Sequence, residues 1–197
     1  IFEGTRKSLR LWFLTMWLVT AEKNGISAMG LQRELGFSRY ETAWTWLHKL
    51  RRAMVRPGRD RLSGLVEIDE TYVGGRQKGH IGKLKRKTAV MGMVSRGGDV
   101  MAKVVPSGRK VHLAPHIHAN VEKGSTIYTD EYRAYQDLPE HGYQHDTVEH
   151  GRDEYVRGDV HTNTIEGYWS RVKNSIRGTH IHVSKKHMQK YLSEFEF

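Results

Sequence analysis

LVEIDETYV, residues 65–73, is a run of β-branched and aromatic residues with an aspartate at its centre. Such a run predicts a strand, and strand propensity disfavours aspartate, so Asp69 is either a functional carboxylate or part of a wet face. On the second reading Glu67, Asp69 and Thr71 line the solvent side of an alternating edge strand. Outward from this stretch, residues 88–95 (TAVMGMVS) and 99–105 (DVMAKVV) are two more strand-like runs, and Arg96-Gly97-Gly98 predicts a tight hairpin between them. A helix-like stretch at 111–121 leads to a fourth strand at 125–129. After Asp130 a short helix carries Tyr132 and Tyr135, and a fifth extended piece follows at 143–149. A final helix begins near Thr162 and spaces Ile165, Tyr168, Trp169, Val172 and Ile176 at helical intervals.

Three strands, then helix, strand, helix, strand and helix is the order of an RNase H-like α/β domain, a mixed sheet with flanking helices. A different texture precedes it. Residues 8–23 put Leu9, Trp12, Phe13, Met16 and Val19 on one helical stripe after a candidate N-cap, Ser8. A short helix follows Ser27 and ends at Gly36, and Ser38-Arg39-Tyr40-Glu41 matches a capping box that opens a third helix running to about Met54. On that helix Tyr40, Ala43, Trp44, Leu47, Leu50 and Met54 read as the buried stripe, leaving Arg39, Thr42, Thr45, Trp46, His48 and Lys49 outward. Short helix, glycine turn, polar-faced helix is a helix-turn-helix pattern, with a plain three-helix bundle as the alternative. Arg51, Arg52, Arg56 and Arg59 favour DNA, and Pro57-Gly58 marks a break. The expected division is a helix-turn-helix module over 1–60 and a catalytic domain over 61–197.

The formal net charge of +10 points to a polyanionic partner. Residues 1–60 hold 11 Lys+Arg against 5 Asp+Glu, so the first third is the more basic. With no cysteine, disulfides and thiolate metal sites are excluded, and any metal must be met by carboxylate, imidazole or carbonyl groups. The apolar run from Leu11 to Val19 is too short to span a bilayer, so no membrane role and a cytoplasmic, nucleoid-associated location are expected.

Asp130 closes the strand-like STIYTD, where α/β sheets place ligands, and Glu166 lies on the last helix. Two strand-borne aspartates and one helix-borne acid can meet at one sheet edge. Phosphoryl transfer by two metals needs such hard oxygen ligands for Mg²⁺ or Mn²⁺.

The blocks GLVEIDETYVGGR, GSTIYTDEYRAY, GYQHDTVEHGRDEYV and HTNTIEGYWSRVKNSIRG, in order across residues 65–180, resemble those of insertion-sequence transposases of the ISXO type, whose catalytic domain belongs to the DDE superfamily. GISAMGLQRELGFSRYETAWTWLHKLR resembles the helix-turn-helix that precedes it in that family. The resemblance implies Asp69, Asp130 and Glu166 as ligands of two Mg²⁺ or Mn²⁺ ions, and Lys173, seven residues after Glu166, as the basic residue that positions the phosphate backbone. Asn163 is the alternative third ligand, since some relatives use asparagine. Water would attack at a transposon end and the freed 3′ hydroxyl would attack target DNA, with no covalent enzyme intermediate. The partners implied are double-stranded DNA, at the transposon ends and the target, and a homodimer or higher oligomer on it. Members of this group often carry a cysteine-based zinc ribbon in front, so a missing N-terminal module is also expected.

Further residues are placed on DNA by this reading: Arg39, Thr42 and Lys49 on the third helix; Arg76, Lys85, Arg86 and Lys87 in a glycine-rich basic loop; Arg171, Lys173 and Arg177 near the end. His161, beside the last helix, is read as a contact to the scissile phosphate. Two rivals remain open: a non-enzymatic helix-turn-helix regulator, and a structure-selective RNase H-like nuclease.

Overall fold

The computed structural model describes residues 1–74, 87–148 and 156–197. In chain order its elements are α1 (Leu9–Ala21), α2 (Ala28–Leu35), α3 (Tyr40–Ala53), β1 (Leu65–Val73), β2 (Thr88–Ser95), β3 (Val100–Val104), α4 (Lys110–Asn120), β4 (Thr126–Asp130), β5 (Gln144–Val148), β6 (Val156–Arg157), β7 (Val160–His161), α5 (Asn163–Asn174) and α6 (Lys185–Phe195). They form two compact units, one of residues 1–57, 171–195 and 197, the other of residues 58–170 and 196. The sequence division left residues 171–195 with the sheet, whereas α6 packs with the N-terminal helices. The tie is a buried ion pair, Arg51 Nε to Glu194 Oε2 at 2.6 Å, with the guanidinium 3.9 Å from the Tyr191 ring centroid.

In the helical unit Trp12 is fully buried and stacks on Trp46, with ring centroids 3.6 Å apart and planes 9° from parallel. That stack turns α3 relative to the sequence reading. Trp46 and His48 face inward with Ala43, Leu47 and Leu50, while Tyr40 is exposed. Both stripes satisfy helical spacing, and the large Trp12 indole selects the one that can cover it. On α1, likewise, Leu9 and Phe13 are exposed rather than buried. The capping box does not form, because α3 starts one residue later than it requires, with Arg39 at the N-cap and no side-chain cap bond. α2 follows expectation: Ser27 Oγ accepts from the Gly30 N–H, and Gly36 takes the left-handed conformation (φ 62°) that a closing residue with a side chain would resist.

The other unit is a five-stranded sheet in the order β3-β2-β1-β4-β5. β1 to β3 are antiparallel, and β4 and β5 run parallel to β1. This is the RNase H-like mixed sheet, and β1 is its central strand. The edge-strand reading of Glu67, Asp69 and Thr71 therefore fails, and Glu67 is 0% exposed. Val66 and Ile68 point into a core shared with Met91 and Met93 of β2 and Leu113 and Ile117 of α4. Against the opposite face lies α5. Gly92, paired with Asp69, makes that close approach possible, since a Cβ there would meet Trp169 Cζ2 at 2.5 Å and Ile165 Cδ1 at 2.7 Å. Beyond expectation are the small β6–β7 hairpin, a π turn at Ser175–Thr179, and α6.

Candidate active site

Parallel pairing of β1 and β4 runs from Leu65 opposite Thr126 to Glu67 opposite Tyr128, and two residues beyond that last pair stand Asp69 on β1 and Asp130 on β4. The two carboxylates are close enough for the charge of Asp130 to disfavour ionisation of Asp69. Asp130 sits at the last position of β4, where its Oδ1 accepts from the Tyr132 N–H at 3.1 Å. Burial raises Asp69 from the ordinary carboxylate value to about 7, reinforced by the negative charges of Asp130 and then Glu70. The Trp169 indole N–H approaches closely enough to favour the charged form a little, without completing a hydrogen bond.

Glu70 is an acid the sequence reading passed over. It points to the other side of β1, where the buried Tyr135 hydroxyl donates to its Oε2. Burial raises Glu70, and burial beside Glu70 raises Tyr135 well above 10. Its only signal in sequence was adjacency to Asp69.

Two adjacent carboxylates, one suppressed in its ionisation by burial and by its neighbour, are the donor chemistry that a hard divalent cation relieves. Asp69 and Asp130 fit Mg²⁺ or Mn²⁺ in that sense. Among the described residues no three His, Asp or Glu side chains form a group that could hold a metal ion. Glu166 is exposed on the first turn of α5, where its Oε1 accepts from Thr162 Oγ1 at 2.9 Å, and Asn163 is exposed at the start of that helix. The structure thus brings the two aspartates together and leaves Glu166 and Asn163 one helical turn apart on α5.

What anchors α5 is Glu67, which shares the face of Asp69. Its Oε2 accepts from the backbone N–H groups of Thr164 (2.8 Å) and Ile165 (3.0 Å), and its Oε1 from Thr164 Oγ1 (2.8 Å) and Arg96 Nε (2.8 Å). His161 closes the cluster with Nδ1 3.3 Å from Glu67 Oε1. A buried carboxylate is stable only when so satisfied, and this one meets the positive end of a helix as well as a guanidinium.

Comparison with known proteins gives the family. The family model described as the ISXO2-like transposase domain matches residues 61–197. The chain belongs to the ISXO2-like transposase family. A Halobacterium salinarum relative, called an uncharacterized protein in transposable element ISH50, is 30% identical over 216 residues, covering 100% of this chain and 71% of its own length. A Haemophilus influenzae relative, an uncharacterized transposase-like protein, is 28% identical over 94 residues, 48% of this chain and 75% of its own length. Among solved structures, a chain of the simian T-cell lymphotropic virus intasome bound to PP2A regulatory subunit B56 gamma aligns with a TM-score of 0.41 and 14% identity, over 94% of this chain and 65% of that one.

The residues expected on DNA are scattered in environment. Arg39 and Lys49 are exposed on α3 and Thr42 is half-buried. Arg51 and Arg59, counted as basic surface from the sequence, are not free for phosphate. Arg51 is buried against Glu194, and Arg59 Nη1 holds Glu196 Oε2 at 3.2 Å. Lys87 is half-buried just before β2, whereas Arg76, Lys85 and Arg86 lie outside the described residues. Arg171 and Arg177 are exposed, and Lys173 is half-buried two turns beyond Glu166 on the same helix. No described helix is long and apolar enough to cross a membrane.

Proposed function

We propose that this chain cleaves DNA strands at the ends of an insertion sequence and joins them to target DNA, with divalent metal ions held at Asp69 and Asp130. The observation that carries the proposal is that carboxylate pair: two acids on adjacent parallel strands, with Asp69 pushed up to about 7 by burial and then by the charge of Asp130. Family membership and the ISH50 relative supply the context of a mobile element. Bound Mg²⁺ or Mn²⁺ would supply the positive charge that phosphoryl transfer needs at the attacking and leaving oxygens. Glu166 is the third acid in this reading, ahead of Asn163, because a carboxylate suits a hard dication better than an amide. Lys173 orients the phosphate backbone, and His161 approaches the scissile phosphate.

The helix, glycine turn and helix of α2 and α3 act as a helix-turn-helix on double-stranded DNA, with Arg39, Thr42 and Lys49 toward it. Arg76, Lys85, Arg86, Lys87, Arg171 and Arg177 add backbone contacts, and the chain works as a homodimer or higher oligomer on DNA in the nucleoid. The test is Mn²⁺-dependent nicking of a duplex carrying the element's end. Wild type nicks it, while Asp69→Asn and Asp130→Asn bind the duplex without nicking. Normal nicking by either variant overturns the site, and DNA binding by the wild type with no nicking in any divalent metal would instead favour a regulator.

A further inference from the structure

We propose that Glu67 is the positioning residue for the third acid, locking the start of α5 to the strand that carries Asp69; this rests on the metal-dependent cleavage proposed above. Glu67 and Asp69 are two residues apart on one face of β1, and Glu67 is 0% exposed. Its oxygens take the N–H groups of Thr164 and Ile165, the second and third residues of α5. Those are the donors that a local N-cap side chain ordinarily satisfies. The local candidate is Thr162, immediately before the helix, and its hydroxyl instead donates to Glu166 Oε1 at 2.9 Å. A carboxylate from a distant strand therefore caps the helix, which leaves Thr162 available to hold the Glu166 side chain.

Neutralising Glu67 undoes both arrangements. A glutamine amide presents a donor on one side of a site where all four partners are donors, the Arg96 guanidinium loses its counter-charge, and the helix N-terminus loses its anion. The hydroxyl of Thr162 can then turn to the exposed amides of α5, releasing Glu166. Arg96 ties the same cluster to the β2–β3 turn and also reaches the His161 carbonyl at 3.2 Å, so the strand, the turn and the segment leading into the helix are held as one piece. Glu67 grips the helix that carries Glu166 by its backbone.

The experiment compares wild type, Glu67→Gln, the milder Thr164→Val and a stability control, Met91→Ala, in the core of the opposite face. Two quantities are read: amide hydrogen exchange of residues 164–166 in metal-free protein, and the Mn²⁺ concentration for half-maximal single-turnover nicking. Glu67→Gln is expected to speed exchange at these amides and raise the Mn²⁺ midpoint about tenfold, as loss of an outer-shell partner does, with DNA affinity unchanged. Thr164→Val shifts both readouts in the same direction by less, and so carries the test if Glu67→Gln does not fold. Exchange at the wild-type rate, or a Mn²⁺ midpoint no higher than that of Met91→Ala, overturns the positioning role while leaving the cleavage reading intact. A wild type that never nicks with Mn²⁺ overturns the cleavage reading, and this inference with it.

Discussion

At Asp69 the proposed function and stability pull in opposite directions, because the fold holds its charge in a half-buried place beside Asp130 and Glu70. Its folded value near 7 lies above the ordinary 3.8, so the unfolded chain releases this proton at lower pH than the folded one does. Its contribution to stability therefore declines as pH rises from about 4 to about 7 and stays lost above that. Asp69→Asn removes the penalty. At pH 7.5 without metal the variant should melt higher than wild type, at on the order of 2–4 °C for each kcal/mol relieved, and added Mg²⁺ should narrow the gap by stabilising only the wild type. An unchanged or lower melting temperature in calorimetry would contradict the buried-charge account. Gly92 makes a second residue-scale case: Gly92→Ala drives a methyl into Trp169 and Ile165 and should cost about 1–3 kcal/mol by overpacking, measured as a lower urea midpoint. On α5, Glu166→Gln should reduce nicking far more than Asn163→Ala, and the reverse ranking at saturating Mn²⁺ would move the third-ligand role to Asn163.

Elements differ in how openly the chain declares them. β1, β2, β3 and β4 and the start of α5 could be read from β-branched runs and a helical stripe, since each buries its own pattern and the order of patterns carries the topology. Orientation was harder to read. Whether Trp44 or Trp46 of α3 faces inward depends on Trp12, and whether Glu67 is wet or buried depends on α5, a hundred residues on; neither partner is visible in a local window. Asp69 and Asp130 stood out because strands rarely keep acids, while Glu67 and Glu70 carried no separate mark until their partners Arg96 and Tyr135 were placed. α6 was missed because its start is a run of basic residues and its burial is limited to Met188, Tyr191, Leu192 and Ser193. Its packing brings a pH dependence. His48 and His180 are both lowered from 6.5 to about 4, first by burial and then by the Arg51 charge. The unfolded chain takes up these protons below pH 6.5 and the folded one does not, so their stabilising contribution is full above 6.5 and is lost as pH falls toward 4. His48→Leu should flatten the fall in urea midpoint between pH 7 and 4.5, and a slope equal to wild type would show that His48 titrates alike in the folded and unfolded chain.

For the whole molecule, the unit that holds the helices is discontinuous in sequence, drawing residues 1–57 and 171–195 from the two ends of the chain. An N-terminal fragment of residues 1–60 looks like a natural DNA-binding piece by charge, with 11 basic against 5 acidic residues. Packing argues otherwise. Arg51 is 2% exposed and its partner Glu194 is absent from the fragment, as are the Tyr191 ring under its guanidinium and the Asn24 carbonyl's donor, Ser175 Oγ. Removing one member of a buried pair costs about 3–5 kcal/mol, a large share of what a unit of this size commands. The fragment should therefore show no cooperative thermal transition, and its DNA binding should be weak and non-specific. The full chain should melt cooperatively and bind an end-containing duplex with an affinity that falls steeply and linearly in log–log terms as salt rises, because phosphate neutralisation dominates. Arg51→Met combined with Glu194→Leu, which replaces the pair with apolar groups of similar bulk, should retain folding in the full chain, whereas Arg51→Met alone strands Glu194 and should not. A fragment 1–60 that melts cooperatively and matches the full chain's affinity across salt would show that the helical unit closes without the C-terminal segment, and that α6 is an accessory to it.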